Sequence, residues 1–158
     1  MKQIVFILSI VFVLVGCKTT QLTPETLAVK QAIEMSVEAK DFAMTFDQIS
    51  PLRGRNIILN SNYTLEVRND SVFADLPYYG QVTYVRPGVD GGIKFQEPYQ
   101  NYVWKSTSKN DKYEITMDIR QPDYQYRLFL TIWDNGKVTL SITSPQRDSI
   151  TYYGEIKN

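Results

Sequence analysis

Residues 113–120 read Tyr113-Glu114-Ile115-Thr116-Met117-Asp118-Ile119-Arg120. Large apolar side chains alternate with polar ones along the whole stretch. Successive side chains of a strand point to opposite faces, so this segment makes a strand with one buried and one wetted face. Tyr124, Tyr126, Leu128, Leu130 and Ile132 repeat the pattern, with Arg127 and Thr131 opposite. Asn135-Gly136 follows, and is read as a two-residue hairpin turn with both residues at positive φ. Val138, Leu140 and Ile142 form the return strand; Ile150, Tyr152 and Ile156 line one face of the last.

The alternation extends upstream. Phe42, Met44 and Phe46 alternate with Ala43, Thr45 and Asp47, and Tyr63, Leu65 and Val67 with Thr64, Glu66 and Arg68. Asn69-Asp70 then turns the chain into Val72, Ala74 and Leu76. With Ile57–Leu59, Gln81–Tyr84, Gly92–Phe95 and Tyr99–Ser106, about nine or ten strands are expected, joined by short turns. Such a meander must close, or fold into two layers, to hide its edges. The expected fold class is mainly β: a curved antiparallel meander, barrel-like or a two-layer sandwich, with one N-terminal helix.

Thr23 suits the N-cap of that helix, Pro24 its first position and Glu25 the positive end of its dipole. No glycine and no further proline appears before Lys40. Leu27, Ala32, Ile33 and Val37 form only a ragged apolar stripe. The helix is therefore expected on the side of the domain rather than in its core.

Upstream of the helix lies an address. Lys2 is followed by Ile4 to Val15, an apolar run broken only by Ser9. That length fits the core of a secretory signal and falls short of the ~20 residues that span a bilayer. The run ends in Leu14-Val15-Gly16-Cys17, which holds the chain's single cysteine. Two aliphatics and a glycine before a cysteine form the pattern of a bacterial lipoprotein cleavage site. The sequence thus predicts a signal peptide over 1–16, an acylated Cys17 with a short tether over 17–23, and one domain over 24–158. The lipid anchor makes a membrane the first expected partner. No acidic cluster follows Cys17, which points to the outer membrane facing the periplasm.

Two counts exclude much chemistry. Histidine is absent, so Ser-His and Cys-His nucleophiles, histidine general bases and histidine zinc sites are ruled out. The one cysteine is committed to lipid, which also removes thiolate chemistry and disulfides. Basic and acidic residues number 17 each, with no basic stripe, so no nucleic-acid partner is expected. No catalytic residue, metal ligand or cofactor is expected, and the protein is read as not an enzyme.

Four residues stand out as ligand-binding candidates. Arg53 and Arg55 flank Gly54, an arrangement able to clamp a carboxylate or phosphate, although such loop arginines more often stay in water. Tyr78 and Tyr79 sit between Pro77 and Gly80; in extended chain one packs inward while the other offers its face to a ligand. Asp90-Gly91-Gly92 precedes a strand rather than a helix and lacks the Lys-Ser/Thr of a phosphate loop. Its glycines more simply allow close strand approach or a bulge. Asp118 and Asp123 are the acids a carboxylate-only hydrolase would use, with surface solvation the simpler reading.

Leu52-Arg53-Gly54-Arg55, Leu76-Pro77-Tyr78-Tyr79-Gly80, Gly91-Gly92-Ile93-Lys94-Phe95, Asp134-Asn135-Gly136 and Thr143-Ser144-Pro145-Gln146-Arg147 occur in this order. In that order and spacing they resemble a family of bacterial lipoproteins called domain of unknown function 4251. The resemblance runs from about Ala32 to the end. It implies a secreted, lipid-anchored domain of Gram-negative bacteria with no assigned activity, cofactor or catalytic residue.

Three functions remain. The first is a non-enzymatic envelope lipoprotein whose β-domain binds an apolar small molecule or a polymer, which in its carrier form requires a cavity. The second is a protein-interaction or assembly module of the envelope, which requires a packed core with an exposed apolar patch or open edge strand. The third, ranked last, is the carboxylate hydrolase.

Overall fold

A computed structural model describes residues 24–83, 91–107 and 112–157. The signal segment, Cys17 and its tether, Thr23, Tyr84 and Asp90 lie outside the described residues. Helix α1 (Pro24–Ala39) is followed by strands β1 (Asp41–Pro51), β2 (Ile57–Arg68), β3 (Ser71–Leu76), β4 (Ile93–Thr107), β5 (Lys112–Arg120), β6 (Gln125–Trp133), β7 (Lys137–Ser144) and β8 (Arg147–Lys157). Each strand pairs antiparallel with the next and β8 returns to β1, so the sheet closes into a barrel. The meander closes on itself rather than stacking as two layers.

Eight strands form where nine or ten were expected, because bulges let single long strands run on through breaks in the pattern. Ile57–Leu59 and Tyr63–Val67 belong to one strand, β2, and Gly92–Phe95 runs on with Tyr99–Ser106 as β4. The Gln81 segment contributes one bridge, Val82 to Arg147, and no strand. Register shifts lie at Asp47 in β1, at Asn101 in β4 and near the start of β8. An extra residue bends a strand and reverses which side chains face inward beyond it. Beyond Asp47 the inward position passes from the even-numbered Phe46 to the odd-numbered Ile49.

The Asn135-Gly136 hairpin differs from the expected turn. Gly136 alone has positive φ, and its amide donates to the Trp133 carbonyl at 2.9 Å. Asp134-Asn135-Gly136 is thus a three-residue loop, a type I turn closed by a left-handed glycine.

Met44, Leu65, Val72, Leu76, Met117, Leu128, Leu140 and Tyr152 all reach 0 % exposure inside the barrel. Eight strands enclose an interior that side chains can fill, and here they do. The outer wall is polar, with ion pairs between residues directly opposite on neighbouring strands: Asp118 with Arg127, Lys137 with Glu155, and Asp75 with Lys94. A barrel that spans a membrane has the reverse arrangement, apolar outside. No helix among the described residues is long and apolar enough to cross a membrane.

Helix α1 does more than lean on the domain's side. Ile33 and Val37 are fully buried in the barrel's core cluster. The Tyr102 hydroxyl of β4 donates to the Val37 carbonyl at 3.4 Å, while Ile156 of β8 shares a groove with Val29 and Ile33. Strands β4 and β8 stand on opposite sides of the ring, so the helix spans one mouth of the barrel. Leu27 and Ala32, the other members of the expected stripe, face outward.

Closure depends on Gly154 of β8. A Cβ there would lie 1.9 Å from the Thr45 carbonyl oxygen and 2.8 Å from the Phe46 Cα, both backbone atoms of β1. Gly154→Ala is therefore expected to cost at least the ~3 kcal/mol upper range of overpacking, read as a lowered urea midpoint. Gly91→Ala, with open space around the new Cβ, should stay within about 0.5 kcal/mol.

Buried tyrosines set an alkaline limit. Burial pushes the Tyr102 and Tyr126 hydroxyls up to about 12 from 10.0, and raises Tyr152 as well. Between these values the unfolded chain has lost protons that the folded chain keeps, so stability falls as pH rises. Stability should hold up to pH 10 and decline from there to about pH 12, with tyrosinate absorbance from these residues appearing only as the chain unfolds.

Candidate binding site

The mouth opposite α1 is closed by side chains from a strap over residues 77–83. Leaving β3 at Leu76, the chain turns across the barrel and meets the start of β8. Pro77 presets a turn conformation and removes a donor, which suits a segment leaving the sheet. The Tyr152 hydroxyl donates to the Pro77 carbonyl at 2.7 Å. The Thr83 amide donates to the Gln146 carbonyl and the Asp148 amide to the Gln81 carbonyl, at 2.9 and 3.0 Å.

Tyr78 points inward. Its hydroxyl lies 2.9 Å from the Gln81 carbonyl and 3.0 Å from that of Asp148. Burial, and then the Asp148 carboxylate, push this hydroxyl above its ordinary value, so it remains a donor. Tyr79 faces out and is 47 % exposed.

Beneath the strap sits Arg147, 8 % exposed and packed between two rings. Its guanidinium carbon lies 4.2 Å from the Tyr124 centroid and 4.9 Å from that of Tyr78. Tyr124 stacks on Tyr126, which stacks on Phe95. Nη1 donates to the Gly91 carbonyl at 2.9 Å, and Gly92 O lies 3.4 Å away. The buried Nε has no hydrogen-bond partner among the described residues. The charge is thus held by π faces and carbonyls, a desolvated setting in which a cation–π contact contributes about 2 kcal/mol. The glycine loop turns carbonyl oxygens towards a cation, the opposite polarity to a phosphate cradle. Gly92 also provides the expected close approach: a Cβ there would come within 2.9 Å of the Leu76 carbonyl.

The accessible part of this end is a notch. β3 has six residues and β2 twelve. Only Thr64–Arg68 of β2 pair with β3, so its first half, from Ile57 to Tyr63, has no neighbour on that side among the described residues. A cleft of about 250 Å³ lies there, lined by Tyr63, Leu76, Pro77, Tyr79 and Lys94 among others. Ile58 is 69 % exposed on β2 and Leu52 57 % exposed on the preceding loop.

Arg53 is exposed, and its Nη1 donates to the Gln81 side chain at 3.3 Å. Gln81 therefore meets Arg53 of the β1–β2 loop through its side chain and Tyr78 through its carbonyl. Arg55 stays exposed on the β1–β2 loop, and no acid pairs with either arginine among the described residues. Asp118 accepts from Arg127 at 2.7 and 3.2 Å and from Asn101 at 2.8 Å, and those bonds hold its carboxyl below the ordinary value. A general acid needs the opposite shift. No cluster of three acids or thiols able to hold a metal occurs among the described residues.

With this geometry in place, the sequence profile of the family described as domain of unknown function (DUF4251) matches residues 25–156. The chain belongs to the DUF4251 family. Its fold is similar to that of a crystal structure of a DUF4251 family protein from Bacteroides eggerthii DSM 20697. The two share 14 % identity with a TM-score of 0.64, over 82 % of this chain and 87 % of that one. No protein with a curated description matches. Membership of DUF4251 carries no assigned activity, so the chemistry rests on the residues described above.

Arg147 and Tyr124 were not singled out as site residues from sequence. Ile150 and Tyr152 set an inward phase that would place Arg147 outside. The β7–β8 register shift between Ile142 and Ser144 turns it in. Arg147→Ala should cost about 3 kcal/mol, since it empties the space between two rings and strands two carbonyls. Tyr78→Phe should cost about 1 kcal/mol, and Arg55→Ala under about 0.5 kcal/mol. Urea unfolding of the three variants checks this order.

Proposed function

We propose that the protein is a lipid-anchored, non-enzymatic interaction module of the cell envelope, which accepts an extended polypeptide segment as an added strand along the free half of β2. The observation that carries this reading is the edge from Ile57 to Tyr63, unpaired among the described residues, beside a filled interior. Exposed edges recruit strands through main-chain hydrogen bonds, and neighbouring pockets supply specificity. Ile58, Leu52 and Tyr79 offer apolar surface for alternate side chains of the guest, and Arg53 and Arg55 favour acidic residues in it. Side chains occupy the space that an apolar guest inside the barrel would need, so the carrier version loses support. The paired, ionised Asp118 gives the hydrolase none.

The anchor is Cys17, in the setting Leu14-Val15-Gly16-Cys17. Lipidation there, on the periplasmic face of the outer membrane, holds the module at its place of work. Two acyl chains with an acylated amino group exceed the marginal membrane affinity of one chain.

A photo-crosslinking residue at Ile58 should give a discrete adduct in intact cells, and one at Phe129 on the barrel wall should give none. Asn60→Pro removes a backbone donor from this half of β2 and should lower the Ile58 adduct several-fold while the thermal melt is retained. Equal adducts from positions 58 and 129, or no response to Asn60→Pro, would refute strand addition. Cys17→Ser should abolish labelling by an alkynyl fatty acid.

A further inference from the structure

From the placement of α1 we infer a second interface: the outer face of the helix docks on the bilayer that holds the anchor, so the barrel stands with its helix end on the membrane and the β2 notch turned away. This inference rests on the lipidation of Cys17 proposed above and is independent of strand addition at the notch.

The starting observation is a helix face, centred on Met35, with nothing over it among the described residues. Ile33 and Val37 point into the barrel. At 100° per residue, Met35 lies on the opposite side of the helix, with Ala28, Ala32 and Ala39 on one side of it and Gln31, Glu38 and Leu27 on the other. Met35 is 64 % and Leu27 43 % exposed. Beside them an apolar groove of about 470 Å³ runs between α1 and the end of β8, lined by Ala28, Val29, Ala32, Ile33 and Ile156 among others. Half-buried Trp133 sits at the last position of β6, towards this same mouth. An indole that is partly buried and partly wet is suited to the headgroup level of a membrane.

Chain length selects the occupant. Pro24 opens α1 only seven residues after Cys17. At full stretch those residues span about 25 Å, about the length of the helix itself. A tether of this length keeps the face beside the bilayer at high effective concentration, so a weakly apolar surface suffices. A freely diffusing partner, or a second copy in a sparse membrane, has no such advantage. The notch, at the far end of the barrel, is then presented to the aqueous space.

The full-length lipidated protein, reconstituted into phosphatidylethanolamine–phosphatidylglycerol vesicles, tests the orientation. Cys17 is blocked by its own lipid, so a cysteine introduced by Leu27→Cys, Met35→Cys or Phe129→Cys takes an environment-sensitive dye alone. Phe129, 43 % exposed on the barrel wall, controls for the dye's own affinity for lipid. Labels at 27 and 35 should shift to the blue and resist aqueous iodide several-fold better than the label at 129. Quenching as strong at 27 and 35 as at 129, in protein that floats with the vesicles, overturns the docking and leaves the anchor intact. Protein that fails to float overturns the anchor, and the docking with it. Shielding that appears only at high protein-to-lipid ratio assigns the face to a second copy and also overturns the inference.

Discussion

A sheet built from consecutive antiparallel hairpins leaves two raw edges, and here β1 and β8 have to find each other to remove them. They meet where β1 carries an extra residue at Asp47 and β8 carries no side chain at Gly154. The two features belong together. The bulge drives the β1 backbone into β8, and only a missing Cβ leaves space for it. Once that seam is shut, the inward side chains face one another and the outward ones face water. Hydrophobic burial and cross-strand ion pairing then both follow from the same closure.

The ring that results is closed unevenly. Strands β2 and β4 are long and β3 is short, so β2 lacks its β3 neighbour before Thr64, near the strap, and β4 lacks it beyond Pro98, towards the helix. The strap over residues 77–83 covers the open core but leaves the first half of β2 without a neighbour on that side among the described residues. Proteins usually blunt such an edge with charge, proline or a bulge. Four residues of β2 lie opposite Asp47 alone, which bends the edge, yet Ile58 remains exposed on it and Leu52 on the loop before it, with Arg53 and Lys94 towards the strap and Asp47 and Glu155 towards the seam.

Alternation carried most of the fold. The stretch 113–120, with its partners, predicts β5 to β7 nearly residue by residue, because no bulge interrupts the β5–β6 pairing. Legibility stops wherever an extra residue reverses the phase. The inward turn of Arg147 is invisible in the pattern, and so is the joining of apparently separate segments into β2 and β4. The Asn135-Gly136 hairpin was placed correctly and given the wrong geometry, since Asp134 can complete a type I turn that the dipeptide alone does not reveal. Of the four candidate ligand residues, Tyr78 and Tyr79 split inward and outward as adjacent strand residues do. Arg53 meets Tyr78 only through Gln81, a contact between distant segments with no local signature.

The lack of histidine shapes the tyrosine end of the barrel. A cation is buried there with no ion-paired acid among the described residues, which low-dielectric surroundings would normally make costly. An arginine can bear this because its planar, weakly hydrated guanidinium stacks on rings while its edges donate to carbonyls, and it does not titrate in the accessible range. Tyrosine supplies the faces, and its raised hydroxyls stay protonated as donors to the strap. The cluster plugs this mouth of the barrel beside the first half of β2.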